Sequence, residues 1–90
     1  MSYARKVDSV QAEIIQALEQ CGWTVQDTSR LGGFVDAVAV KGHWKLGPYP
    51  VVRLLEFKTG QGKLTKAQQQ FHAKFPVTIL RGVDDALKLR

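Results

Sequence analysis

Two runs of β-forming residues, Phe34–Val40 and Val51–Lys58, limit what this chain can fold into, because each interrupts its apolar pattern with ionisable groups. Asp36 stands in the first run; Glu56 and Lys58 stand in the second. A lone carboxylate taken out of water is costly unless a cation or hydrogen bonds compensate, so charges in such strands call for a reason. Side chains alternate along a strand. Glu56 and Lys58 therefore share one face, about 6.6 Å apart, with Leu54 before them, while Asp36 shares its face with Phe34 and Val38. With the two strands paired as antiparallel neighbours, two acids and one lysine converge on one patch. That is the minimum needed to hold a divalent cation and a polarised water.

Ninety residues suit one domain, spanning 1–90, with a single core. Hydrophobic residues at 44% and charged residues at 23% exclude a disordered or fibrous chain. The net charge of +5 favours a polyanionic partner. One cysteine, Cys21, excludes an internal disulfide and a multi-cysteine zinc site, and it falls on the apolar side of a helix as a buried thiol. No apolar run approaches the ~18 residues of a membrane span and no signal-peptide core is visible, so the expectation is a cytoplasmic protein without a membrane partner. Gly60 and Gly62 lack the Gly-Lys-Ser/Thr ending of a nucleotide loop, which argues against a nucleotide cofactor. His43 and His72 stand at no zinc spacing.

Val7, Val10, Ile14, Ala17, Leu18 and Cys21 recur at helical spacing, predicting an amphipathic helix over roughly residues 5 to 21 that Gly22 stops. Residues 23–28 alternate as a short strand, and Gly32-Gly33 turns the chain toward Asp36. The Gly- and Pro-containing stretch from Lys41 to Pro50 reads as a hairpin loop with His43, Trp44 and Lys45 at its tip. Thr65 followed by Gln68 is a capping-box signature for a second helix over Lys66 to Lys74, ended by Pro76. Residues 77–80 form a short strand, and Gly82 leads to a last helix begun by Asp84 or Asp85, with Ala86, Leu87 and Leu89 on its apolar side. Trp23, Phe71 and Phe75 are assigned to the core. The expected fold is α/β, in the order α-β-β-β-α-β-α, with a mixed sheet of about four strands flanked by helices.

Magnesium takes one or two carboxylates and keeps several waters, which suits Asp36 and Glu56, with the backbone carbonyl of Phe57 as a further ligand. Lys58 is placed to orient a water and to stabilise a charged transition state; whether it also accepts a proton stays open. The segments Gly33-Phe34-Val35-Asp36, Leu55-Glu56-Phe57-Lys58 and Lys63-Leu64-Thr65-Lys66-Ala67-Gln68 together resemble the PD-(D/E)xK nuclease superfamily. Within it, the chain looks most like small phage-type and VRR-NUC-like nucleases related to the Holliday-junction resolvases. The resemblance implies a restriction-endonuclease-like core and a metal-dependent DNA endonuclease, possible selectivity for DNA structure included. Asp36 and Glu56 would bind Mg2+, with Mn2+ as substitute; Lys58 would act on the water, and Gln68 would match a further polar site residue. Two departures stand out: Val35 occupies the position of a proline that often precedes the first acid, and Gln11 occupies that of a helix-one glutamate. Either Glu13 substitutes for that glutamate or the site has one acid fewer.

Blander assignments compete for the same residues. Asp36 can cap a turn, Glu56 with Lys58 can form an exposed charge pair, and Gln68 can serve the capping box alone. Lys41, Lys45, Lys63, Lys66 and Lys74 suit a phosphate-tracking groove or an ordinary soluble surface. Trp44 and Tyr49 suit base stacking or subunit packing. A double-stranded-RNA-binding module shares the α-β-β-β-α outline but leaves Val77 to Arg90 unexplained. A nuclease-like fold without catalysis is a third reading. A site this small leaves little protein to span a DNA substrate, so a homodimer is expected.

Overall fold

The stripe of Val10, Ile14, Ala17 and Leu18 lies on α1, Ser2–Gln20, in the computed structural model of the protein. The structure describes residues 2–42, 50–59 and 62–90, with the side chains of α1 described from Val10 onward. Helix α1 begins earlier than its apolar periodicity indicates, because good helix formers such as Ala4, Arg5 and Lys6 extend it. It ends where Gly22 adopts φ 98°, with Trp23 N–H donating to Leu18 O and Gly22 N–H to Glu19 O. That pairing satisfies the last carbonyls and needs a residue that tolerates the left-handed region.

Then follow β1 (Thr24–Asp27), β2 (Ala37–Lys41), β3 (Val51–Phe57), α2 (Lys66–Lys74), β4 (Val77–Leu80) and α3 (Val83–Lys88). The order is the one expected from sequence. The four strands form one sheet in the order β1-β2-β3-β4; β2 pairs antiparallel with both β1 and β3, and β4 runs parallel to β3. The return through α2 makes that parallel pairing possible. Among the described residues no helix is long and apolar enough to cross a membrane.

Strand alternation divides the sheet into two unlike faces. Ala37, Ala39, Leu55, Phe57 and Leu80 point to one side, where they meet Ile14, Ala17, Leu18 and Trp23 and, from α3, Ala86. Glu56 points to the other side, which α2 covers incompletely: no residue of α2 is buried.

Three assignments change in the structure. Asp36 lies one residue before β2 and Lys58 one residue after β3, so both bracket the strands rather than standing within them. Phe71 is half-buried and Phe75 is 46% exposed, because the three glutamines of α2 give that helix too little apolar surface to close a second core. Leu87 is exposed, since the six-residue α3 turns Ala86 to the core, with Leu89 just beyond its end packed against the same cluster. Trp23 is buried as expected, and the free Cys21 packs against the core from just beyond the end of α1.

Candidate active site

Asp36 is held at three points. Its backbone N–H donates to Leu55 O at 3.0 Å, its carbonyl accepts from Thr28 N–H at 2.8 Å, and its Oδ2 accepts from Phe57 N–H at 2.8 Å. The side chain thus takes over a strand bond just where the β2–β3 ladder ends. Thr28 reinforces the arrangement by donating its hydroxyl to Val35 O at 2.7 Å. The segment between β1 and β2 is therefore a clamped excursion that presents one carboxylate.

One step beyond the last β2–β3 pair, Ala37 with Leu55, Glu56 stands across from Asp36. Glu56 is only 2% exposed. Gln68 Nε2 donates to its Oε2 at 3.2 Å, and His72 Nε2 lies 3.7 Å from its Oε1. Burial, a hydrogen bond with Asp36 and repulsion from the Asp36 charge push Glu56 up to about 8, while the Lys58 ammonium pulls it partly back. Without a further cation the pair resists carrying two negative charges at neutral pH.

Gln68 resolves the competition between its two assignments by serving both. Its Oε1 accepts from Thr65 N–H at 2.9 Å, Thr65 Oγ1 accepts from Gln68 N–H at 3.2 Å, and its amide nitrogen still reaches Glu56. The capping box orients the amide; the amide orients the acid. Lys58 continues the β3–β4 pairing through its N–H to Leu80 O at 3.1 Å. Its half-buried side chain passes beside Gly62, where an added Cβ would meet Thr59 O at 3.1 Å and Lys58 Cδ at 3.7 Å. Arg81 secures that stretch by donating to Gly62 O at 2.8 Å.

Asp36, Glu56 and Gln68 line a cleft of about 260 Å³ together with Phe34, Phe71, Leu31 and the Gly32-Gly33 turn. Phe34, Phe71, Leu31, Gly32 and Gly33, and His72, escaped the sequence reading of the site. The signal for His72 was available: it follows Gln68 by one helical turn, so both side chains lie on one face of α2. Its Nε2 is buried and, among the described residues, has no hydrogen-bond partner.

Other expected residues lie elsewhere. Glu13 is exposed on α1 and Gln11 is half-buried there. Lys63 and Lys66 are exposed at the approach to α2, Lys74 is exposed at its far end, and Lys41 holds its ammonium 5.1 Å from the Trp23 ring, five residues along β2 from Asp36. His43, Trp44, Lys45 and Tyr49 lie outside the described residues. Among the described residues no group of three or more His, Cys, Asp or Glu forms a cluster able to hold a metal. The donors that do meet are two carboxylates with the Phe57 backbone beside them, a set that suits a hard cation keeping most of its waters and is too sparse for zinc. No protein-family model, no curated protein and no solved structure matches this chain.

Proposed function

We propose that the protein is a Mg2+-dependent DNA endonuclease that hydrolyses phosphodiesters with an activated water. One observation carries the reading: a buried glutamate faces an anchored aspartate in an open cleft, with an amide and a lysine arranged around them. A pair so resistant to double ionisation gains from a divalent cation what ordinary solvation would otherwise supply. Asp36 and Glu56 would hold that ion, with the Phe57 carbonyl adjacent. Bound there, it would neutralise charge developing on the phosphate and lower the pKa of a coordinated water.

The remaining roles belong to the chain. The Phe57 N–H fixes one oxygen of Asp36 and the Gln68 amide one oxygen of Glu56. Lys58, close enough to perturb Glu56, orients the attacking water and offsets charge on the phosphorane-like transition state. Lys63 and Lys66 attract the phosphate backbone without reading sequence. Strand β4 and helix α3 contribute Leu80 and Ala86 to the core, which favours this reading over a three-stranded double-stranded-RNA-binding module. The same reading carries a homodimer with it, and sedimentation as a ~10 kDa species would remove that part alone.

The test uses plain duplex, nicked, flapped and four-way-junction DNA with Mg2+, Mn2+ or EDTA. Cleavage that requires the ion and disappears in Asp36→Asn, Glu56→Gln and Lys58→Ala is the expected result. Cleavage that persists in EDTA, or absence of cleavage on every substrate, rejects the proposal.

A further inference from the structure

The cleft holding the two acids carries two aromatic rings in its wall. Phe34 and Phe71 line it, their rings meeting edge to face with centroids 5.7 Å apart, and Phe75 stacks on Phe71 at 4.5 Å. Phe75 thus supports the Phe71 wall. Phe34 keeps 39% of its surface exposed despite its contact with Phe71, and it precedes Asp36 by two residues. A large apolar ring left in the mouth of a polar site costs solvation free energy without closing a core, so a ligand with a flat apolar face is its natural complement. The rim opposite such a ligand is bare. Gly32 and Gly33 both line the cleft, and an added Cβ at either meets nothing within 4 Å.

We infer that this cleft accommodates an unpaired nucleobase of the substrate, stacked on Phe34, so that a phosphate next to the extruded nucleotide reaches Asp36 and Glu56. The inference rests on the nuclease reading and adds the substrate class: DNA with an unpaired nucleotide at or beside the cut. The cleft volume of about 260 Å³ leaves room for a nucleobase. A base inside a duplex presents only its edges, because its faces are covered by its neighbours; an unpaired one offers a face to the ring. Ser29 and Thr65, which also line the cleft, supply polar groups toward a base or sugar without demanding one sequence.

Two DNA substrates of the same sequence decide it, one fully paired and one with a single unpaired nucleotide at the scissile position, cleaved in Mg2+ under single-turnover conditions. The expected result is cleavage of the unpaired substrate about tenfold faster or more, the scale of one base–aromatic stack. Phe34→Ala removes that preference by slowing the unpaired substrate, and Phe34→Trp restores it. Gly32→Leu fills the rim and lowers the unpaired rate more than the paired one, and thermal unfolding of each variant shows whether the fold persists. If the natural protein cleaves both substrates equally, or if Phe34→Ala slows both by the same factor, the base pocket is refuted while metal-dependent cleavage keeps the nuclease reading intact. No cleavage of either substrate with Mg2+ or Mn2+ overturns both.

Discussion

Under α1 and α3 the sheet buries Ala37, Ala39, Leu55, Phe57 and Leu80 in a continuous apolar core, whereas on its other face it leaves Val52 51% exposed and buries a carboxylate. The same strands build both faces. Residues of odd number on β3 supply the first and residues of even number the second, so adjacent side chains in Leu55-Glu56-Phe57 answer to different demands. Apolar area removed from water stabilises the closed face by about 25 cal/mol per Å². The α2 face stabilises the fold less and, at Glu56, works against it. The comparison teaches that the fold's stability and the proposed chemistry are separable by parity along one strand.

Glu56→Gln breaks the comparison most strongly, because its two effects oppose each other. Cleavage falls by roughly a thousandfold or more, the scale of losing one preorganised charge-stabilising group. Stability of the metal-free protein at pH 8 to 9 rises, since a neutral amide keeps the Gln68 contact and sheds the desolvation and repulsion that Asp36 and burial impose. Chemical denaturation and a cleavage assay on the same preparation check both halves.

Leu18→Ala comes next and acts on the other face. Leu18 is fully buried between helix and sheet, and its truncation costs about 2–5 kcal/mol. An unfolding free energy in urea lowered by less than about 1 kcal/mol would show that the α1 face is not the seat of stability.

The pH dependence of stability follows from the raised Glu56. An acid that holds its proton more tightly when folded stabilises the native state at pH below its ordinary 4.5, and that contribution is lost as pH rises toward about 8. Asp27 works in the opposite sense: its carboxylate accepts from Ser29 Oγ at 2.6 Å and Ser29 N–H at 2.9 Å, which holds it below its ordinary 3.8. Its stabilisation is present above 3.8 and lost on further acidification. The metal-free protein should therefore lose stability between pH 4.5 and 8, and saturating Mg2+ should reverse the slope by favouring ionised Glu56. A flat unfolding midpoint across that window in EDTA contradicts the site's electrostatics.

Why the fold was largely legible from sequence is visible in particular residues. Gly22 after a four-residue-spaced apolar stripe, Thr65 three before Gln68, and the run 77–80 between Pro76 and Gly82 are local signals, and each produced its element. The acids were legible because ionisable residues interrupt apolar runs of sequence, Glu56 within β3 and Asp36 just before β2. What stayed hidden depended on tertiary approach. Nothing local says that His72 faces Glu56 rather than solvent, that Phe34 stays open to a cleft, or that α2 covers its face too thinly to bury Phe75. Those facts follow from how far α2 sits over the sheet, which no periodicity encodes.

The smallest expected effect sharpens the contrast with a single kind of substitution placed twice. Val52→Thr keeps a β-branched side chain opposite Val40 and adds a hydroxyl that water can reach, so it should change stability by no more than about 0.5 kcal/mol. Val35→Thr makes the same chemical change at a buried position beside Asp36, where the new hydroxyl must find a partner inside the protein or cost about 1–3 kcal/mol. Because volume and branching are conserved in both, packing contributes little to the difference. Equal midpoints for the two variants in urea would mean that the segment leading into Asp36 is as solvated as the sheet face carrying Val52, and the anchored aspartate would lose its rigid base.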